Sequence, residues 1–181
     1  MNCTLCNKRG NIFALLNEDE LDFVNGHRYE LSFNKGEIIF KQGSPLTHVA
    51  CITDGLVKLY IEGLNKRNLI LSFAKPVTMI GGPGMFVDYR HHFSVAAVED
   101  TSACLIDTKI IEDLIEKNHK FACDLLKGSN LNNINNFSKF INLTQKQMHG
   151  RIADAFILLM DEIYGRNPFI LTASSQDLAD L

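Results

Sequence analysis

Between residues 31 and 107, apolar and polar positions alternate in short runs separated by turn residues. LSF at 31–33, EIIF at 37–40, VACI at 49–52, LVKLYI at 56–61, NLILSF at 68–73, SVAAV at 94–98 and ACLID at 103–107 each read as a short strand. Leu31, Phe33, Ile38 and Phe40 are apolar with polar neighbours, and Val57, Leu59 and Ile61 repeat that pattern. Gly36, Gly43-Ser44-Pro45 and Asp54-Gly55 supply turn chemistry, because glycine reaches backbone angles closed to other residues. Asp-Gly between apolar alternations predicts a hairpin, and Gly63-Leu64-Asn65 predicts a β-turn. The expected fold class is therefore α+β, with a jelly-roll-like antiparallel β-roll at its centre.

Helical periods flank this strand-rich region. Asn17 is a suitable N-cap for a helix whose first turn holds Glu18, Asp19 and Glu20, with Leu21 and Val24 on one face. After Asp107 the period changes to three and four at Ile110, Ile111, Leu114 and Ile115, and Asp107 or Thr108 can cap that helix. From His119 to about Leu143, Phe121, Leu125, Leu131, Ile134, Phe137 and Ile141 recur at mostly helical steps, as in a coiled-coil seam. Gly128 costs such a helix about 1 kcal/mol relative to alanine. A helix packed only on its own roll offers no partner for both Phe137 and Phe140, so a homodimer is expected, with Leu131, Ile134, Phe137 and Ile141 at its interface. The stretch 151–164 predicts a helix with Ile152, Ala155, Phe156, Leu159 and Ile163 on one face. Gly165 ends it, with Pro168 beyond. Phe169-Ile170-Leu171 reads as strand-like. Ser174 and Asp177 have the spacing of a capping box for a last helix that starts with Leu178, Ala179 and Leu181 and has no packing partner in sight.

Composition narrows the function classes. The chain has 181 residues and a net charge of −3, so DNA binding through a generally basic surface is excluded and any nucleic-acid contact must be local. No run of eighteen apolar residues is present, so no membrane span is expected, and the N-terminus lacks a secretory signal. A cytoplasmic location with reduced cysteines follows. There is no P-loop, no H-E-x-x-H, no G-x-S-x-G and no G-x-G-x-x-G after a strand, and the chain is not expected to be an enzyme. Metal-dependent cupins share the jelly-roll architecture, but His48, His91 and His92 do not fall in their ligand pattern.

FNKGEIIFKQGSP followed by ITDGLVKLY, Val98-Glu99-Asp100 to Asp107, Arg151-Ile152-Ala153 and the closing SSQDLADL resemble the cyclic-AMP receptor / fumarate-nitrate regulator family of bacterial transcription regulators. The resemblance covers about residues 10 to 181. It implies a sensor roll and N-terminal arm over 1–118, a dimerisation helix over 119–147, and the start of a winged helix-turn-helix over 148–181. SSQDLADL is similar to the first helix of that motif, so the chain reads as cut short before the recognition helix. Ser174, Ser175 and Gln176 would be the DNA-facing part that is present. DNA and RNA polymerase are the partners this implies for a full-length protein, while sequence-specific DNA binding is not expected of these 181 residues.

The family's roll holds a cyclic nucleotide with a Phe-Gly-Glu segment, a short helix and an Arg-Ser or Arg-Thr pair. Arginine pairs with the phosphate, and glutamate takes the ribose hydroxyl. Here Gly81 matches the glycine, Gly82 stands in place of the glutamate, and 91–94 (His-His-Phe-Ser) stands where the arginine and its hydroxyl partner would fall. A glycine side chain cannot accept a hydrogen bond, so cyclic AMP is not the expected ligand. Gly81, Gly82, Arg90, His91, His92 and Ser94 form the candidate pocket for another effector, with a plain tight loop as the alternative. Oxygen-sensing members bind an iron–sulfur cluster through three clustered cysteines and one distant one. Cys3 and Cys6 match the first two, and the third position falls near Ile12. A cluster from Cys3, Cys6, Cys51 and Cys104 stands against a metal-free N-terminal arm with Cys51 and Cys104 as small buried hydrophobes.

Overall fold

A computed structural model describes residues 3, 6, 8, 10–64, 67–165 and 171–181. The strands are β1 (Arg28–Phe33), β2 (Ile38–Phe40), β3 (His48–Asp54), β4 (Val57–Glu62), β5 (Asn68–Ala74), β6 (Met79–Ile80), β7 (Ser94–Ala97) and β8 (Thr101–Asp107). They form two four-stranded sheets in the orders β1-β8-β3-β6 and β2-β7-β4-β5. Every pairing is antiparallel. This is the jelly-roll-like α+β architecture that the alternation predicts.

β3 and β8 are buried on both faces, and their alternation separates two cores. Ala50, Ile52, Ala103 and Leu105 meet Val57, Val95 and Ile80 between the sheets. Val49, Cys51, Cys104 and Ile106 point the other way, into a cluster with Phe13, Leu16, Leu21, Val24, Ile110, Ile111, Leu114 and Phe121. Each large side chain so buried contributes about 1.5–3 kcal/mol, which pins both the sheet pairing and the helices that cover it. β1 and β2 are the edges of their sheets, and there Leu31 and Ile38 stay exposed although their alternation predicts a buried face.

Asp54-Gly55 does not make a hairpin. β3 and β4 lie in different sheets, and the dipeptide is the corner between them. Gly55 has φ +87°, and a Cβ there would sit 2.5 Å from the Asp100 carbonyl oxygen and from Thr101 Oγ1. The close approach of the two sheets at this corner therefore requires glycine. Gly63 does lie in a tight β4–β5 connection, its amide donating to the Arg67 carbonyl at 2.9 Å. Asn65, the last residue of the predicted turn, lies outside the described residues.

Helix α1 (Glu18–Gly26) starts with the reciprocal capping box of Asn17 and Glu20. Helix α2 (Thr108–Lys117) is capped by Asp107, whose carboxylate accepts from the Lys109 amide. Helix α3 (His119–Gln145) is capped by Asn118 and runs through Gly128, a length of about 40 Å. Helix α4 (Met148–Leu158) begins three residues before the expected Arg151 and continues as a π-helical turn over Leu159–Tyr164, closed by Gly165 at φ +62°. Pro168, Phe169 and Ile170 lie outside the described residues, and Leu171 is in no regular element.

The last helix, α5 (Ser175–Asp180), has the predicted capping box of Ser174 and Asp177. It is not without a packing partner, as the sequence suggested. Leu181 packs against Tyr60, Ile70 and Ala96 on the outer face of the second sheet. Ala173 packs with Leu56 and Val98, and Asp177 is ion-paired to Lys58 of β4.

Candidate functional site

The 81–94 segment, the cassette of the resemblance, leaves β6 at Ile80, passes Gly81, Gly82, Pro83 and Gly84, and runs through Arg90 to enter β7 at Ser94. Gly84 is fixed by its surroundings, since a Cβ there would stand 2.1 Å from the Arg90 carbonyl oxygen. Phe86 and Tyr89 hold φ of +63° and +53°, a costly conformation for large side chains. Phe86, Val87 and Tyr89 are also exposed. Sequence reading missed these three. An apolar Phe-Val pair inside a glycine-flanked loop was the available signal.

The six candidate residues do not converge on one point. Arg90 turns back on the neighbouring loop, with Nη1 donating to the Gly43 carbonyl at 2.7 Å. His92 is exposed and its Nε2 lies 3.1 Å from Asp88, which holds the Asp88 carboxyl below its usual range. His91 is buried, stacked on Phe40, and its Nδ1 has no hydrogen-bond partner. Burial pushes its pKa down. Ser94 is fully buried, donating to Glu62 Oε1 at 2.5 Å and accepting from the Gln42 amide at 2.9 Å. Glu62 is paired in turn with Lys41 at 2.6 Å, and its amide donates to Gln42 Oε1 at 2.8 Å. Lys41 and Ser94 together hold the Glu62 carboxyl below its ordinary pKa.

Thus the hydroxyl that would face a phosphate is already engaged by a carboxylate of the same chain. Phe93 stands immediately before Ser94, where an Arg-Ser pair would carry its guanidinium. Lys41, Gln42 and Glu62 come from β4 and the loop after β2, so nothing local in the sequence announces them as partners of Ser94. The arrangement holds a closed polar network and offers a cyclic phosphate neither a free cation nor a ribose acceptor.

The cysteines gather elsewhere. Cys51 and Cys104 face each other across β3 and β8, and Cys3 packs against the same cluster. Arg28 sits among them, Nη1 donating to Cys104 Sγ at 3.3 Å. Its Nε is buried and without a hydrogen-bond partner. Desolvation raises the thiol pKa values of Cys3, Cys51 and Cys104, so these sulfurs stay protonated at neutral pH. Among the described residues no group of three or more His, Cys, Asp or Glu side chains could hold a metal ion. The Arg28 guanidinium, donating to Cys104 Sγ, holds one of the sulfurs in a hydrogen bond of its own.

On α3, Leu131, Ile134, Phe137 and Ile141 are exposed, together with Leu126 and Phe140. Shallow grooves of about 320 and 390 Å³ run along the same helix beside Cys123 and Lys127. Ser174, Ser175 and Gln176 open α5. The Ser174 hydroxyl bonds to Asp177 at 2.8 Å and Gln176 to Asp180 at 2.7 Å. Among the described residues no helix is long and apolar enough to cross a membrane.

Comparison with known proteins agrees with this architecture. A family model described as a cyclic nucleotide-binding domain matches residues 30–118. An anaerobic regulatory protein of Pasteurella multocida is 28% identical over 155 residues, which are 85% of this chain and 56% of that protein. The chain thus spans little more than half the length of that relative. The structure of FixK2 from Bradyrhizobium japonicum is similar at a TM-score of 0.75 and 23% identity, covering 84% of this chain and 76% of that one. A protein from Eubacterium rectale described as a transcriptional regulator of the crp/fnr family is similar at 0.77 and 16% identity, covering 94% and 78%.

Proposed function

We propose that the chain, whose residues 30–118 match a cyclic nucleotide-binding domain, belongs to the cyclic-AMP receptor / fumarate-nitrate regulator family, is not an enzyme, and is the sensing and dimerising part of a DNA-binding transcription regulator. Its roll responds to a small effector other than a cyclic nucleotide, acting at the 81–94 segment. α3 pairs with a second copy through Leu131, Ile134, Phe137 and Ile141. DNA reading belongs to the full-length regulator, where a helix-turn-helix entered at Ser174–Gln176 addresses its sites and RNA polymerase responds.

The observation that carries this reading is the exposed apolar stripe on α3. Four large side chains at three- and four-residue steps, each more than half exposed, are the seam of an unpartnered coiled coil. The replaced cassette supports the effector class, because Gly82, Phe93 and the engaged Ser94 remove the groups that hold a cyclic phosphate. A stand-alone sensor module without a DNA role is the second reading. The family match and the capping box that opens α5 favour the regulator.

Sedimentation equilibrium of the 181-residue protein tests the dimer. The parent is expected as a dimer, and Ile134→Glu with Phe137→Glu should weaken self-association about 100-fold or more, since each buried apolar side chain is lost on both copies. A parent that stays monomeric at about 100 μM, a concentration at which weak but specific pairs still form, would overturn the seam. Titration calorimetry with cyclic AMP should show no heat of binding up to about 1 mM. Micromolar binding would sink the effector reading.

A further inference from the structure

β4 shows an unexpected burial pattern. Val57 and Leu59 face the inter-sheet core, so Lys58 and Tyr60 point to the opposite face, which in an isolated roll is solvated. Instead Tyr60 is buried and Ile70, beside it on β5, is fully buried. The cover comes from the far end of the chain. Leu181 lies on the Tyr60–Ile70–Ala96 patch, Ala173 lies on Leu56 and Val98, and Lys35 Nζ donates to the Thr172 carbonyl at 2.9 Å. At the centre of this contact Lys58 is ion-paired to Asp177, whose side chain is only 6% exposed.

Asp177 is doubly used. Its carboxylate accepts from the Ser174 amide at 2.8 Å as part of the capping box, and the same carboxylate meets Lys58. A desolvated carboxylate of this kind is stable only while its cation stays in place. Burial opposes its ionisation, and the hydrogen bonds from Lys58 and from Ser174 together still hold its pKa below the ordinary value. The same strand ends at Glu62, the partner of Ser94, so one strand carries both the foot of the cassette segment and the anchor of α5.

We propose that the Lys58–Asp177 pair is a latch that docks the 171–181 segment on the outer face of β4, β5 and β7 and restrains the helix opened by Ser174. In the docked state Ser174, Ser175 and Gln176 are tied to the roll through Asp177. Released, the segment moves independently and uncovers Tyr60 and Ile70. Only the naming of the restrained helix as the entry to a DNA-reading motif rests on the transcription-regulator reading; the latch itself does not.

Hydrogen exchange on the 181-residue protein tests the latch. Lys58→Met keeps the stem that covers Tyr60 and removes the charge, while Lys58→Arg keeps the charge. The amides of 175–181 should exchange about 10-fold faster or more in the methionine variant and within about 3-fold of the parent in the arginine variant. The amides of β3 and β8 should be unchanged in both, which separates release of the segment from unfolding of the roll. Unchanged exchange in Lys58→Met overturns the latch, as does an arginine variant that exchanges as fast as the methionine one. Neither result depends on dimerisation or DNA, so the latch and the proposed function fail independently.

Discussion

His91 lies face to face on Phe40, with ring centroids 4.3 Å apart and planes 17° apart. The imidazole is 2% exposed and its Nδ1 has no hydrogen-bond partner. The folded protein therefore prefers the neutral ring, and burial sets its pKa below the ordinary value. As pH falls through the ordinary histidine range, the unfolded chain takes up a proton that the folded one refuses. Stability is full above that range and declines as the solution is acidified towards the lower folded pKa. A His91→Phe variant keeps the stack and removes the titrating group. Urea midpoints at about pH 7.5 and about pH 5.5, on either side of the unfolded histidine pKa, should differ less in this variant than in the parent; an equal difference would mean that His91 does not set the slope.

Ser94 closes a ring of contacts with Gln42, Glu62 and Lys41. Ser94→Ala leaves the Gln42 amide without its acceptor and removes one donor from Glu62. A loss of about 1–2 kcal/mol is expected from denaturant unfolding. The pH dependence has a definite sign. Lys41 and Ser94 hold the Glu62 carboxyl below its ordinary value, so their stabilisation is present above the unfolded carboxylate pKa and disappears as pH falls through the folded one. The alanine variant should lose less stability on acidification than the parent.

Much of the fold was legible because it rests on local alternation, and the failures have physical causes. Ile52 and Leu105 announce a core by their neighbours, and Asn17 with Glu20 announces a cap by spacing. β6 has only two residues, Met79 and Ile80, too few for a period to register. Asp54-Gly55 carries hairpin chemistry, but which sheet the next strand joins is decided by contacts such as Asp100 and Thr101 against Gly55, more than forty residues away. Ser94 stands out in the sequence as a hydroxyl beside the 81–93 loop, yet its partners, Gln42 in the loop after β2 and Glu62 on β4, are far away along the chain. Lys58 lies on the polar face of the β4 alternation, and only Asp177, more than a hundred residues away, makes it a half-buried ion-pair partner.

Gly84 stands where the cassette chain nearly touches itself. A Cβ there would lie 2.1 Å from the Arg90 carbonyl oxygen, 2.8 Å from an Asp88 carboxylate oxygen and 3.0 Å from the Arg90 amide. Two of these neighbours are backbone and cannot swing aside. Gly84→Ala should therefore destabilise the roll by about 2–4 kcal/mol and release the isolated bridge between Pro45 and Arg90. Gly128→Ala is the contrast. It has open space in α3 and should stabilise the protein by up to about 1 kcal/mol. Thermal unfolding of the two variants should move in opposite directions, and a neutral Gly84→Ala would show that the cassette loop is not held in this form.

Lys139 joins α3 to the β5 edge, its Nζ donating to the carbonyls of Ile70 at 2.5 Å and Leu71 at 3.1 Å. Leu71 is the extra residue of a bulge, since Leu59 pairs with Ser72 and Tyr60 with Ile70. A bulge leaves its added residue outside the strand ladder, and the lysine supplies the missing donor. Burial lowers the Lys139 pKa to about 8. From about pH 8 up to the ordinary lysine value near 10.4, the unfolded chain holds a proton that the folded one has released. Stability from this residue therefore rises with pH across that window, and the full cost of burying the charge applies below it. Lys139→Met titrates nothing, so its stability should lack this rise between about pH 8 and 10 while the parent shows it. Denaturant midpoints at about pH 7.5, 8.5 and 9.5 read the difference. Parallel curves for the two proteins would mean that Lys139 keeps an ordinary pKa, which requires the ammonium to reach water rather than the two carbonyls of β5.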